Sequence, residues 1–277
     1  MIFKIGIIGA GAVAYGMTDA ISLSGLSIKT VVSRKKNHAQ RLARRIGTKK
    51  FGTDYRLLSD CNFIIIAASD ASLTEIAKKT AIIAFKSNAV TIVHTSGSLS
   101  SDVLQSAKAN IHTSVSIASM HPMQTFLSRS TSKKKLPVNT CFGIEGEKKA
   151  LKITRQFLRR IDARAVLVSK ENKSLYHIGG IMASNFVVAL FYEILNLYKK
   201  LGWSEKQMLA VVTPLLNETI ANMQDQGIVS SLTGPASRKD MSMIQYHYKI
   251  LSKESVEIAK LYKHLTDICL KITLNKL

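Results

Sequence analysis

Residues 2–16 hold the feature that most narrows the fold. Ile2, Ile5, Ile7 and Ile8 form a short β-branched apolar run, the pattern of a strand buried on both faces. The run stops at Gly9-Ala10-Gly11-Ala12-Val13-Ala14, and helix-forming residues follow. A tight turn from strand into helix leaves backbone N–H groups unpaired at the positive end of the helix dipole, and a diphosphate suits them. Gly9 permits the bend, Gly11 admits a close ligand, and Ala14 stands where a third glycine would let helix and strand pack. A bare G-x-G-x-x-[GA] is a weak signal; one that ends a strand and opens a helix points to a dinucleotide. Gly9, Ala10, Gly11, Ala12 and Val13 are therefore expected to hold its pyrophosphate.

The end of the second strand selects among dinucleotides. Leu26 to Ser33 reads as that strand and runs into Ser33-Arg34-Lys35-Lys36. An acid at this point would bond a free ribose 2′-hydroxyl, and there is none. Arg34 can instead grip a 2′-phosphate bidentately, with Ser33 and Lys35 beside it. The expected cofactor is NADP(H).

Further apolar runs continue the pattern. Phe63 to Ala68 closes in Ser69-Asp70, Ala89 to Val93 closes in His94-Thr95-Ser96-Gly97, and a strand near Ser116 ends in Met120 to Phe126. Ligands lie beyond the carboxyl ends of such strands, which puts Ala68, Ser69, Thr95 and Ser96 beside the cofactor. Asn37 is expected to cap the helix that Gly47 ends, and Asp70 the helix after it. Two more strands, 140–145 and 163–168, flank a helix over 147–160. The alternation predicts an α/β domain with a doubly wound parallel sheet, the Rossmann arrangement, over 1–169. Ser128 to Lys135 reads as a solvated basic loop. From 170 to 277 only helices are expected, near 173–201, 204–223, 240–251 and 253–274, forming an all-α substrate and dimerisation domain.

Composition removes several other readings. Cys61, Cys141 and Cys269 form no C-x-x-C pair, so neither a disulfide framework nor a metal site is expected. With a strand already at the start, a cytoplasmic location is expected. Ile178 to Tyr192 is the longest uncharged apolar stretch. It falls short of the roughly 20 residues of a bilayer span and contains Ser184 and Asn185, so it reads as a buried central helix. The formal net charge is +21, but the basic residues are dispersed and not interleaved with aromatics; a nucleic-acid partner is not expected, and an anionic small molecule fits.

Three motifs narrow the reading further: MHPMQTF at 120–126, YHIGGIMASNF at 176–186 and LTGPASRKD at 232–240. Together they resemble a bacterial family that joins a Rossmann-like NADP oxidoreductase domain to a C-terminal domain of unknown function, the 2520 class. That family lies within the superfamily of 6-phosphogluconate dehydrogenase and pyrroline-5-carboxylate reductase. The resemblance implies hydride transfer to or from a small, anionic carbonyl or imine compound. The related hydroxyacid dehydrogenases carry a catalytic lysine one turn before an asparagine on the long helix. Here the position four before Asn185 is Ile181, so that lysine is not expected.

Such a reaction needs a proton donor near the acceptor atom. His121 follows a strand and His177 opens the long helix, and with Asn185 they are the catalytic candidates. His94, Ser184 and Arg238 are the candidates for holding the substrate. His177 and Asn185 stand roughly 12 Å apart along the axis, enough to line one elongated site but not to share an atom. Without a clear acid–base pair, a catalytically inert NADP-binding regulator or scaffold is the alternative. The wide apolar stripe of the long helix predicts a homodimer.

Overall fold

The computed structural model describes residues 2–127 and 136–274. The expected loop Ser128 to Lys135 lies outside the described residues. The chain divides into two compact units, Met1–Ser184 and Asn185–Leu277.

In the first unit β1 (Ile5–Ile8), β2 (Ile28–Val32), β3 (Lys50–Gly52), β4 (Phe63–Ile66), β5 (Ala89–His94), β6 (Ser114–Pro122), β7 (Cys141–Gly146) and β8 (Arg164–Leu167) form one sheet. Its order is β3-β2-β1-β4-β5-β6-β7-β8. Helices α1 (Ala12–Leu23), α2 (Lys36–Ile46), α3 (Leu73–Ala81) and α4 (Lys148–Arg160) flank it, with 3-10 segments at Tyr55–Asp60, Asp70–Ser72 and Ser101–Ala109. Every strand pair is parallel except β6 with β7, which corrects the expectation of a parallel sheet. Periodicity shows that a strand is buried, not which way its neighbour runs.

The apolar runs work as pleated strands with two buried faces. Ile5, Ile7, Phe63, Ile65 and Val93 pack under α1, α2 and α4 with Met17, Leu42 and Phe157. Their neighbours Ile8, Ile64, Ile66 and Ile92 pack on the other side with Leu73, Ile76 and Leu104. Two caps differ from expectation. The backbone of Lys35, not Asn37, stands at the N-cap of α2, while Gly47 closes that helix at φ 74°. Asp70 caps nothing; its carboxylate accepts from Ser98 Oγ at 3.0 Å.

Helix α5 (Lys173–Lys199) begins in the first unit and crosses the boundary between the two. It is long and apolar enough to cross a membrane by length and composition alone, and only 6% of its apolar window is buried. The expected buried central helix is therefore an exposed one in the single chain. An apolar composition predicts that a helix will be covered, not by what.

The second unit holds α6 (Glu205–Gln226), α7 (Gly234–Ser237), α8 (Met241–Glu254) and α9 (Val256–Leu274). Ser204 opens α6 in a capping box with Gln207, and Asp240 caps α8 through the N–H of Met243. His247 Nδ1 lies 2.9 Å from Tyr262 Oη, and Thr273 Oγ1 donates to Ala236 O, tying α8 and α7 to α9.

Candidate functional site

The turn at residues 9–14 has the build of a diphosphate cradle. Gly9 adopts φ +111°, and a Cβ there would collide with the carbonyl of Ala67. Gly11 has open space where a Cβ would stand, and it caps α1 without any side-chain bond. The Gly9 N–H is taken by Val32 O at 2.8 Å, and the first helical bond runs from the Tyr15 N–H to Gly11 O at 3.0 Å, which leaves the N–H groups between them as anion donors. At the end of β2, Ser33 is held by its N–H on Gly52 O, while Arg34 and Lys35 are exposed with no acid in the segment. These residues fit NADP(H): donors for the pyrophosphate and cations for a 2′-phosphate.

Ala68 and Ser69 follow β4, Thr95 and Ser96 follow β5, all at the rim where the cradle opens. The Thr95 N–H donates to Ile66 O, and Ser96 Oγ accepts from the Leu99 N–H at 3.1 Å. Their side chains thus shape the rim, and Ala68 and Ser69 leave it open.

On the same rim a group of titratable residues converges. His121, near the end of β6, is cross-strand partner to Gly143. Tyr176 lies over Gly143, where a Cβ would come within 2.5 Å of its Cζ. The Gly143 N–H donates to Tyr176 Oη at 3.1 Å, and that oxygen lies 3.4 Å from His121 Nδ1. The His121 and His177 rings meet edge to face with centroids 5.4 Å apart. Gly97 lies against both: a Cβ there would stand 2.8 Å from His121 Nε2 and nearer still to His177 Nδ1. Only glycine lets the two nitrogens face one point.

Lys173 is the residue that sequence reasoning missed. It is 2% exposed, and its ammonium donates to Ser119 Oγ at 2.6 Å and Ser96 O at 3.4 Å. No ion pair forms among the described residues. Burial pushes its pKa below the usual lysine value, with Glu145 and Asp70 opposing. The sequence did carry a signal. Lys173, Tyr176 and His177 stand at positions i, i+3 and i+4, one face of the first turns of α5. The asparagine comparison looked for the lysine further along the helix.

Burial also pushes His121 down to about 4, helped by His177 and Lys173, so its imidazole is neutral at physiological pH. His94 is pushed down to about 4 as well, by burial and then by Lys173. It was expected on the substrate side. It is instead fully buried, with Nδ1 accepting from the Ser96 N–H at 3.2 Å and Nε2 3.1 Å from Ser100 O. Both nitrogens hold the 96–100 loop, leaving none for a substrate.

Two helix glycines fix the segment after His121. A Cβ at Gly180 of α5 would come 2.7 Å from Met123 Sδ, and one at Gly16 of α1 would overlap the Phe126 ring. Glycine costs an exposed helix interior about 1 kcal/mol, so its presence at both contact points marks a required close approach. Ser184 is half-buried at the last position of the first unit. Asn185 and Arg238 belong to the second unit, where Arg238 is an exposed residue closing α7.

Residues 4–97 match the family described as NADP oxidoreductase coenzyme F420-dependent, and residues 140–268 match the one described as Domain of unknown function (DUF2520). The pairing is the one that the motifs resembled, and the first description names the expected cofactor. No curated protein matches the chain. Among solved structures, a Bacteroides fragilis protein given provisionally as an NADP oxidoreductase is 23% identical. The match covers 97% of this chain and 98% of that one, with a TM-score of 0.75. A Thermotoga maritima protein is also 23% identical, over 98% and 99% of the two chains, with a TM-score of 0.71. A reductive aminase from Aspergillus terreus, solved with NADPH, is 13% identical over 98% and 94%, with a TM-score of 0.66. At these identities the likeness establishes a shared fold.

Proposed function

We propose, for a chain that joins an NADP oxidoreductase domain to a DUF2520 domain, that it transfers hydride between NADP(H) and a small, anionic carbonyl or imine compound. The observation that carries this reading is the convergence of Lys173, His121, Tyr176 and His177 on the sheet rim that also bears the dinucleotide turn. NADPH supplies the hydride. The chain's own groups bind and orient the acceptor and manage the proton: Lys173 offers positive charge to an oxyanion, and His121 and His177 offer ring nitrogens at one point beside Gly97. Ser184, the last residue of the first unit, extends the substrate side in this reading.

Two further parts belong to it. A second copy of the chain covers α5, whose Phe186, Val188 and Tyr192 are all more than half exposed in the single chain. The cytoplasm is its compartment, since the three cysteines are unpaired and two of them are only half-buried.

The test is a panel of 2-keto acids, aldehydes and cyclic imines, followed by loss of NADPH absorbance. Turnover with one of them, abolished in His177→Ala, supports an enzyme. Tight NADPH binding with no turnover on any class would leave an inert nucleotide-binding scaffold.

A further inference from the structure

Tyr176 Oη already accepts the Gly143 N–H at 3.1 Å, which favours the phenol as donor in its second contact. The phenol proton is then free for the ring nitrogen 3.4 Å away, His121 Nδ1. Strand pairing sets both anchors, since His121 and Gly143 are opposite each other in the antiparallel ladder. A neutral imidazole whose Nδ1 accepts must carry its hydrogen on Nε2. That nitrogen faces the point beside Gly97 that His177 Nδ1 also faces.

We infer that Tyr176 is a positioning residue that locks His121 in the Nε2–H tautomer, making His121 a neutral hydrogen-bond donor to the acceptor's oxygen or nitrogen. It then polarises that atom without cycling through imidazolium; NADPH gives the hydride, and the proton added there comes from water. The role in the reaction rests on the oxidoreductase reading; the tautomer does not.

From α5 come Lys173, Tyr176 and His177; His94 lies on β5, and Asp70 follows β4. Cys141 and Glu145 lie on β7, the first acting on Tyr176 and the second on Lys173. Only Asp70 favours the imidazolium of His121, while burial, His177 and Lys173 oppose it.

Long-range proton–nitrogen NMR on the full chain with 15N-labelled histidine tests this directly. His121 is assigned by the signals lost in His121→Gln. In the wild type at neutral pH its Nδ1 should be the unprotonated nitrogen and Nε2 the protonated one. In Tyr176→Phe, NADPH affinity should hold while the two tautomers mix. Its titration midpoint should then rise by about one pH unit, because the bond favouring the neutral ring is gone. An Nδ1–H tautomer in the wild type overturns the inference even if the variant does not fold. So does a His121 spectrum unchanged in Tyr176→Phe. If the tautomer is as expected but no acceptor is reduced, the lock stands and its catalytic use falls.

Discussion

Lys173 Nζ donates to Ser119 Oγ at 2.6 Å, and its other partner is the carbonyl of Ser96, so a buried ammonium rests on neutral oxygens alone. A buried charge without a counter-ion in contact costs the fold, and Glu145 and Asp70 offset that cost only from a distance. Lys173→Met preserves volume and removes that cost. Melting temperature should stay level or rise, while NADPH oxidation should fall about 100-fold or more. A large drop in melting temperature with normal turnover would make the lysine a structural group.

Arg34 stands exposed after β2 with no acid in its segment. Arg34→Asp should weaken NADPH by about 10- to 100-fold, since a charge-assisted pair is worth roughly 1.5–3 kcal/mol and the carboxylate adds repulsion. NADH affinity should change little or improve. Calorimetric titration of both nucleotides decides it, and equal losses would remove the 2′-phosphate contact.

Gly16 and Phe126 share one space. Alanine is the better helix former by about 1 kcal/mol, yet Gly16→Ala should destabilise by about 1–3 kcal/mol because the ring must move. In Phe126→Ala the same glycine change should become stabilising. A double-mutant cycle in urea reads the reversal; additive effects would separate the two residues.

His94 gives the fold an acid limit. Its folded pKa, pushed down to about 4 chiefly by burial, lies below the unfolded value of about 6.5. The unfolded chain therefore binds its proton first as pH falls. Stability is full above about pH 6.5 and declines toward pH 4, by up to about 3 kcal/mol for this residue. His94→Gln should lower stability at pH 7 and flatten that slope. Denaturant midpoints between pH 4 and 7 measure it, and an unchanged slope would mean the ring is not buried neutral.

Light scattering tests the fate of α5. The wild type should have about twice the 30.5 kDa chain mass. Val188→Glu, on the exposed apolar surface, should give the single-chain mass with NADPH binding intact. A monomeric wild type would refute the pairing.

The sequence announced its strands where β-branched residues crowd together: β1, β4 and β5 need no side chains from elsewhere to explain them. β3 escaped notice because Lys50-Phe51-Gly52 has neither length nor pattern, and pairing with β2 alone makes it a strand. The turn geometry at Gly9–Val13 and the charge at Ser33–Lys35 were legible because both are local properties. The opposite side of the rim was not. His94 and His121 look alike in sequence, each at the end of a strand, and only the surrounding loops show that one is occupied and the other is turned to the rim. Nothing local marks Lys173 as buried: Ser96 and Ser119, which close round it, come from distant segments.

The reversal after β6 brings the beginnings of β7 and β8 to a rim whose other strands end there. Parallel neighbours finish there and offer carbonyls, whereas β7 offers the N–H of Gly143. One wall of the site thus belongs to a chain segment entering the sheet after the dinucleotide turn is already complete. Insertions just ahead of Cys141 could reshape that wall while leaving the cradle at Gly9 intact.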